Sequence, residues 1–425
     1  MSEYESYLKT KLAGVPRIGI DHGDLHPILF PWQKDLVSRA LRRGRFALFT
    51  DTGTGKTLMQ LEWARHIPGR VLILAPLAVA EQTVREGALL DMDPKYLRED
   101  DGKTQVVVAN YEMLSHFDPA QFQGVVLDES SILKSFTGKI RTAIIEAFQG
   151  TPYRLACTAT PAPNDHMELG NHSEFFGEKT RTEMLAEYFV HDGATTQAWR
   201  LKGHAQDIFW RWICSWAAFM GKPSDIGYSD DEYQLPELRM HEHVLGVDHK
   251  AAQAGGMLFA MQARGLREQR AVRRGTMDQR VEMAAKVANG HGQSIVWCEL
   301  NDESKMATDL IDGAVEITGS DSPDFKRDAL LGFANGEHRV LVSKLKIAGF
   351  GLNFQNCNKM VFLGASHSFE QTYQGIRRCW RFGQKNPVDV HIIRAETEDE
   401  VVANYRRKER QFAEMREKMV EHTRN

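Results

Sequence analysis

Three short runs in this 425-residue chain combine side-chain types and spacings suited to handling phosphate. The first is Thr50-Asp51-Thr52-Gly53-Thr54-Gly55-Lys56-Thr57. Glycines let a backbone curl until successive N–H groups point inward at an anion. A helix starting there adds the positive end of its dipole. In such a loop Thr52, Gly53, Thr54 and Gly55 cradle the phosphates and Lys56 reaches the β and γ groups. The Thr57 hydroxyl completes the shell of a Mg²⁺ ion. Thr50 stands where the general G-x-x-x-x-G-K-[ST] pattern has its first glycine. The second run is Asp128-Glu129-Ser130-Ser131. Asp128 suits Mg²⁺, and Glu129 suits the orienting of an attacking water. The third is Gln374-Gly375-Ile376-Arg377-Arg378-Cys379-Trp380-Arg381-Phe382-Gly383-Gln384. Arg378 and Arg381 are three apart and share a face if helical. Guanidinium groups neutralise the charge that builds on a phosphoryl group in transfer. The plainer readings of this run are a solvated face or a nucleic-acid contact.

The elements that must position these runs are legible from hydrophobic patterning. Phe46–Thr50, Val71–Ala75, Val106–Ala109, Val125–Asp128 and Arg154–Thr158 are short apolar runs without polar alternation. Such runs predict strands buried on both faces, as in a parallel sheet. Segments with helical spacing, such as Lys56–His66, lie between them. A second series follows residue 290: Ser294–Cys298, Ala314–Ile317, Val340–Ser343, Met360–Leu363 and Val388–Ile393. The expected architecture is therefore two α/β lobes, residues 1–235 and 236–425. A helical insertion is expected over about 165–235, and its tryptophans Trp199, Trp210, Trp212 and Trp216 read as its core. The second lobe is expected to carry a helical protrusion over about 250–290 and a basic, helical C-terminal tail.

Composition narrows the classes. Hydrophobic residues are 42% and charged residues 26%, which excludes a disordered or fibrous chain. No apolar run reaches the roughly 18–20 residues of a membrane span, so no membrane partner is expected. Five scattered cysteines without a C-x-x-C pair form neither a disulfide framework nor a zinc site and fit a reducing cytoplasm. A net charge of −4 does not by itself mark a nucleic-acid binder. Local charge supplies candidates: Arg264, Arg267, Arg270, Arg273 and Arg274 recur at near-helical spacing, and the tail adds Arg406, Arg407, Lys408 and Arg410.

In chain order these runs resemble the motifs of superfamily-two helicases and translocases, most closely the Swi/Snf branch. Phe30-Pro31-Trp32-Gln33 resembles the nucleotide-sensing glutamine region, and Gly53–Thr57 resembles motif I. Ala75-Pro76-Leu77 and Ala109-Asn110-Tyr111-Glu112 resemble motifs Ia and Ib. Asp128–Ser131 takes the place of the DEAH box, and Thr158-Ala159-Thr160-Pro161 resembles motif III. Ser294–Cys298, Ser343 through Gly349–Asn353, and Gln374–Gln384 resemble motifs IV, V and VI. Two departures stand out. Ser131 replaces the DEAH histidine, and Arg377 stands where the family usually has Asp or Gly. The resemblance implies two RecA-like, P-loop NTPase lobes with ATP and Mg²⁺ in the cleft between them. It assigns Gln33 and Gly351 to the nucleotide, and Thr158, Thr160, Gln374 and Gln384 to coupling. It implies a DNA-dependent ATPase that translocates on duplex DNA, working as one chain, with a protein recruiter among its expected partners. The expected form is a motor core stripped of targeting domains, of a kind found in phages and bacteria. A strand-separating DNA or RNA helicase, or a nucleic-acid-binding scaffold with weak turnover, are the alternatives.

Overall fold

The β-branched runs do become strands buried on both faces. The structure is a computed structural model and describes residues 18–134, 138–191, 199–246, 274–290, 292–348 and 353–423. The chain forms two units, one of residues 1–232 and 411–425, the other of residues 233–410.

The first unit is built on a seven-stranded sheet. Its strands are β1 (Arg45–Thr50), β2 (Val71–Ala75), β3 (Lys95–Tyr96), β4 (Val106–Asn110), β5 (Gly124–Asp128), β6 (Tyr153–Cys157) and, after the small antiparallel pair β7 (Phe189–His191) and β8 (Trp199–Leu201), β9 (Ala217–Met220). The order is β3-β4-β2-β5-β6-β1-β9, parallel throughout. Leu48 of β1 and Asp128 of β5 both pair in register with Cys157 of β6. The first and second runs therefore leave the same sheet edge, one strand apart. Ligands of parallel sheets bind at that carboxyl edge.

The region 165–235 is not wholly helical as expected. It holds the helices Leu169–Phe176, Arg181–Tyr188 and Gln206–Trp216, but β7 and β8 intervene and β9 joins the main sheet beside β1. Trp210 and Trp216 are buried, as a core role requires, whereas Trp199 and Trp212 are only half-buried. Ala217–Met220 continues the apolar run of the preceding helix, and nothing in its composition marks the change from helix to strand.

The second unit carries a parallel sheet of β10 (Leu238–Leu245), β11 (Ser294–Cys298), β12 (Ala314–Ile317), β13 (Val340–Lys344), β14 (Lys359–Leu363) and β15 (Val388–Ala395), ordered β10-β15-β14-β11-β13-β12. Alternate residues feed two cores. Ile295, Trp297, Leu341 and Met360 face one side, and Val296, Cys298, Val342 and Val361 face the other. Residues 250–273 of the expected protrusion lie outside the described residues. Its remaining part, the helix Met277–Asn289, does not protrude: Val281, Ala284 and Ala288 belong to the second of these cores.

The C-terminal tail is helical, Asp399–Thr423, but only its first part belongs to the second unit. From Gln411 it packs into the first. Phe412, Met415 and Met419 are buried, Phe412 meets Phe219 ring to ring, and Arg416 pairs with Asp225. Apolar residues at three- and four-residue spacing make that face a core face, whatever the charge of the other. Among the described residues no helix is long and apolar enough to cross a membrane.

Candidate functional site

The loop after β1 takes the shape its glycines permit. Gly53 and Gly55 have φ of 82° and 80°, in the left-handed region that favours glycine. The helix Lys56–His66 begins directly after Gly55. Thr54 braces the turn, its hydroxyl donating to the Thr50 hydroxyl (3.0 Å) and the Asp51 carbonyl (2.6 Å). Lys56 Nζ donates to the carbonyls of Thr50 (3.0 Å) and Asp51 (3.1 Å), so the ammonium lies along the loop. The Thr52 N–H donates to the Asp51 carboxylate at 2.6 Å. Thr57 opens the helix, partly exposed.

Gln33 also reaches this loop. It is buried on the helix Pro31–Arg43; its Nε2 donates to the Thr54 carbonyl (2.9 Å) and its Oε1 accepts from the Phe30 N–H (2.9 Å). A β-carbon on Gly55 would lie 2.3 Å from that Nε2. Gly55→Ala therefore forces both a left-handed alanine, at about 1–2 kcal/mol, and displacement of a held amide. The expected outcome is nucleotide binding weakened about tenfold with a modest loss of thermal stability. Unchanged affinity in a nucleotide titration would refute this reading of the loop.

The acidic pair ends β5. The Gln60 amide donates to Asp128 Oδ1 at 2.7 Å, the Glu129 N–H donates to the same oxygen at 3.1 Å, and the Tyr111 hydroxyl donates to the Asp128 carbonyl at 2.6 Å. Burial, and then the charges of Asp128 and Glu129, push the Tyr111 phenol well above its usual pKa, so it stays a donor. Glu129 has φ 53°, a left-handed conformation uncommon outside glycine and of the kind that gathers at functional sites. Its carboxylate accepts from the Thr158 hydroxyl at 3.4 Å, and Thr158 also accepts from the Thr160 N–H at 3.1 Å. Thr158 follows β6, between the strands carrying the two runs. Thus β5, β6 and β1, side by side, deliver the acidic pair, the threonine and the phosphate loop to one edge.

Sequence reasoning missed Gln60 and His172 as supports of this edge, and named Tyr111 without this role. Gln60 and Tyr111 fix Asp128. His172 is fully buried on the helix Leu169–Phe176, with Nε2 3.0 Å from the Ser130 hydroxyl. Gln60 lies one helical turn beyond Lys56, a spacing that could have flagged it; His172 carries no such signal. The donor set fits Mg²⁺. Among the described residues no group of three or more His, Cys, Asp or Glu is placed to hold a metal. One carboxylate and one hydroxyl are what an ion held mainly by substrate phosphates and water requires.

In the second unit the arginine run follows the helix Phe369–Ile376. Arg377 is buried, lies over the Trp380 ring at 4.8 Å and donates to the Tyr233 hydroxyl at 3.5 Å. Phe382 stacks on Tyr233, with ring planes 4° apart. Arg378 is largely buried, and Arg381 donates to Asn353 Oδ1. Gln374 is buried in the helix. The Gln384 amide donates to the carbonyls of Gln355 and Cys357, and its oxygen accepts from the N–H groups of Lys385 and Asn386. Expected as a coupling residue, Gln384 is bonded to backbone on both sides and fastens the arginine turn. Gly351, Arg264, Arg267, Arg270 and Arg273 lie outside the described residues. Arg274 is exposed, just before the helix Met277–Asn289.

Comparison with known proteins bears on the second unit most directly. Residues 279–383 match the family described as Helicase conserved C-terminal domain. The bifunctional helicase and thymine dioxygenase JBP2 of Leishmania braziliensis and that of Leishmania infantum are each 34% identical to this chain over 87 residues, 20% of the chain. The chain spans only 8% of the length of these curated relatives. A solved structure described as the Sulfolobus solfataricus SWI2/SNF2 ATPase core in complex with dsDNA aligns over 95% of this chain and 99% of its own, at 16% identity and TM-score 0.45. The family match covers residues 279–383 of the second unit, about a quarter of the chain. Within that segment lie β11 to β14 and the arginines of the third run, so the likeness to a helicase C-terminal domain takes in Arg377, Arg378 and Arg381.

Proposed function

We propose that this chain is a Swi/Snf-like, nucleic-acid-dependent ATP hydrolase that translocates on duplex DNA. One observation carries the reading: Lys56, Asp128, Glu129 and Thr158 converge at the carboxyl ends of three adjacent strands, with the Gln33 amide on the same loop. Lys56 exchanges its two carbonyl partners for β- and γ-phosphate oxygens, and the N–H groups of residues 53–56 would hold the rest. Thr57 and Asp128 would hold Mg²⁺, which neutralises developing phosphate charge. Glu129, steered by Thr158, orients the water whose oxygen bonds to the γ-phosphorus as the bond to the bridging oxygen breaks, leaving ADP, inorganic phosphate and a proton released to solvent. In the second unit, Arg378 and Arg381 are the residues to which the resemblance assigns neutralisation of phosphoryl charge. The sequence Arg381-Phe382-Gly383-Gln384 resembles the run most typical of the Swi/Snf branch, and that resemblance supports a duplex track.

Hydrolysis measured with no polymer, single-stranded DNA, duplex DNA and RNA tests this directly. Duplex DNA is expected to stimulate turnover at least about tenfold. Arg378→Ala and Arg381→Ala are each expected to reduce the stimulated rate by about a thousandfold, the usual worth of such an arginine. Triplex displacement without strand separation is the expected pattern of movement. Strand separation would instead support a helicase, and turnover indifferent to every polymer would overturn the motor reading.

A further inference from the structure

The histidine beneath the acidic loop has more to do than fill space. His172 and its neighbour Asn171 together clamp the turn that follows Glu129. His172 Nε2 lies 3.0 Å from the Ser130 hydroxyl, and Asn171 Nδ2 donates to the Leu133 carbonyl at 2.6 Å. Both side chains come from the helix Leu169–Phe176, which opens the insertion between β6 and β9. The imidazole also meets Phe49 edge to face, with ring centroids 5.2 Å apart and planes at 82°. Phe49 is the last residue of β1 but one, directly before Thr50 of the phosphate loop. A single buried ring therefore touches the strand that leads into the phosphate loop and the residue that follows Glu129.

The energetics give that contact a purpose. A glutamate with φ 53° relaxes unless its neighbours hold it, because the left-handed conformation costs about 1–2 kcal/mol. Holding it are the Asp128 carboxylate on its N–H, the Ile132 N–H on its carbonyl, Thr158 on its carboxylate, and the Ser130–His172 bond on the next residue. Of these four, the last reaches in from the helix Leu169–Phe176. Burial drives the imidazole pKa down to about 3, so the ring is neutral at any working pH and keeps one donor and one acceptor nitrogen. It acts as a fixed hydrogen-bonding strut and takes no proton. A buried neutral histidine is ordinarily a packing residue, but packing alone does not call for a bond to the residue adjoining a strained carboxylate.

We propose that His172 is a positioning residue for hydrolysis: through Ser130 it holds Glu129 in the left-handed turn that presents its carboxylate to Thr158, making turnover depend on the packing of the insertion. This rests on the hydrolase reading above.

The test uses the full chain with saturating duplex DNA and compares His172→Phe, His172→Gln, Ser130→Ala, the double variant His172→Phe/Ser130→Ala, and Lys56→Ala. His172→Phe keeps a ring against Phe49 while removing the bond, and Ser130→Ala removes the bond with almost no change of volume. Both are expected to lower kcat about tenfold with KM and nucleotide affinity within about twofold, because the lost interaction orients the water and not the nucleotide. The double variant is expected to fall no lower than either single, the mark of one shared interaction. His172→Gln, whose amide reaches the position of Nε2, is expected to recover at least half of the rate. Losses that multiply in the double variant, or a Ser130→Ala rate within twofold of the parent, overturn the proposal while leaving the hydrolase reading intact. Parent turnover no greater than that of Lys56→Ala overturns both.

Discussion

Glu129→Gln is expected to reduce DNA-stimulated hydrolysis by about 10²–10⁴-fold, the range for loss of a positioned base, while leaving nucleotide affinity nearly unchanged. The substitution keeps the size of the side chain and its capacity to accept from Thr158, 3.4 Å away, so the left-handed turn at residue 129 can persist. What it removes is the negative charge that orients and polarises a water. Lys56→Ala is expected to behave differently. Its ammonium bridges the carbonyls of Thr50 and Asp51 within the loop, and in the proposed function it carries charge to the phosphates. Its removal therefore weakens binding first, raising KM as well as lowering kcat. Steady-state kinetics beside a fluorescent-nucleotide titration separate the two patterns. A Glu129→Gln rate within tenfold of the parent, in a variant that binds nucleotide normally, would remove Glu129 from the chemistry. Loss of affinity in Glu129→Gln equal to that in Lys56→Ala would instead mean that the acidic pair shapes the loop.

The strands that position these groups could be read from sequence because a parallel sheet buries both faces, which leaves uninterrupted apolar runs. Val71–Ala75, Ser294–Cys298 and Ala314–Ile317 stand in the structure at their expected limits. The strands that escaped are those to which that logic does not apply. Lys95–Tyr96 is two residues long, and β10 is an edge strand with exposed and part-buried residues side by side. Ala217–Met220 is apolar, but so is the helix before it, and only pairing with β1 makes it a strand. The same division holds at the site. Glycines at 53 and 55 are local demands of the backbone and show in the sequence, as does a carboxylate pair at a strand end. The Ser130–His172 bond joins residues 42 apart, and the Asp128–Gln60 bond joins residues 68 apart. Each depends on which strands become neighbours. The basic tail shows the opposite hazard: its charges were conspicuous, and the apolar positions that seat Phe412, Met415 and Met419 in the first unit were not.

Long-range pairing also underlies the largest effect on stability expected in the second unit. Arg280 and Glu303 have no exposed side-chain surface and pair at 2.7 Å. Arg280 also donates to the Leu363 carbonyl at 3.1 Å and the Thr276 hydroxyl at 3.3 Å, while Glu303 accepts from the N–H groups of Glu299 and Leu300 at 3.1 Å each. The pair thus joins the helix Met277–Asn289 to the start of the helix Asn301–Leu310 and to the end of β14. Removing one partner strands the other charge in a dry interior, which costs about 3–5 kcal/mol. Arg280→Ala is expected to destabilise this unit by that amount, with loss of hydrogen-exchange protection concentrated in residues 277–310. Glu303→Ala also deprives a helix start of its acceptor and should cost at least as much. Replacing both residues by apolar ones, Arg280→Met with Glu303→Leu, removes the charges together and is expected to recover most of the loss, since such swaps run from neutral to about 1–4 kcal/mol stabilising. Denaturant titration combined with hydrogen exchange distinguishes the cases, because the two units need not unfold together. If the double variant is as unstable as Arg280→Ala, the contribution lies in the hydrogen bonds to Leu363, Glu299 and Leu300 and not in the cancellation of charge.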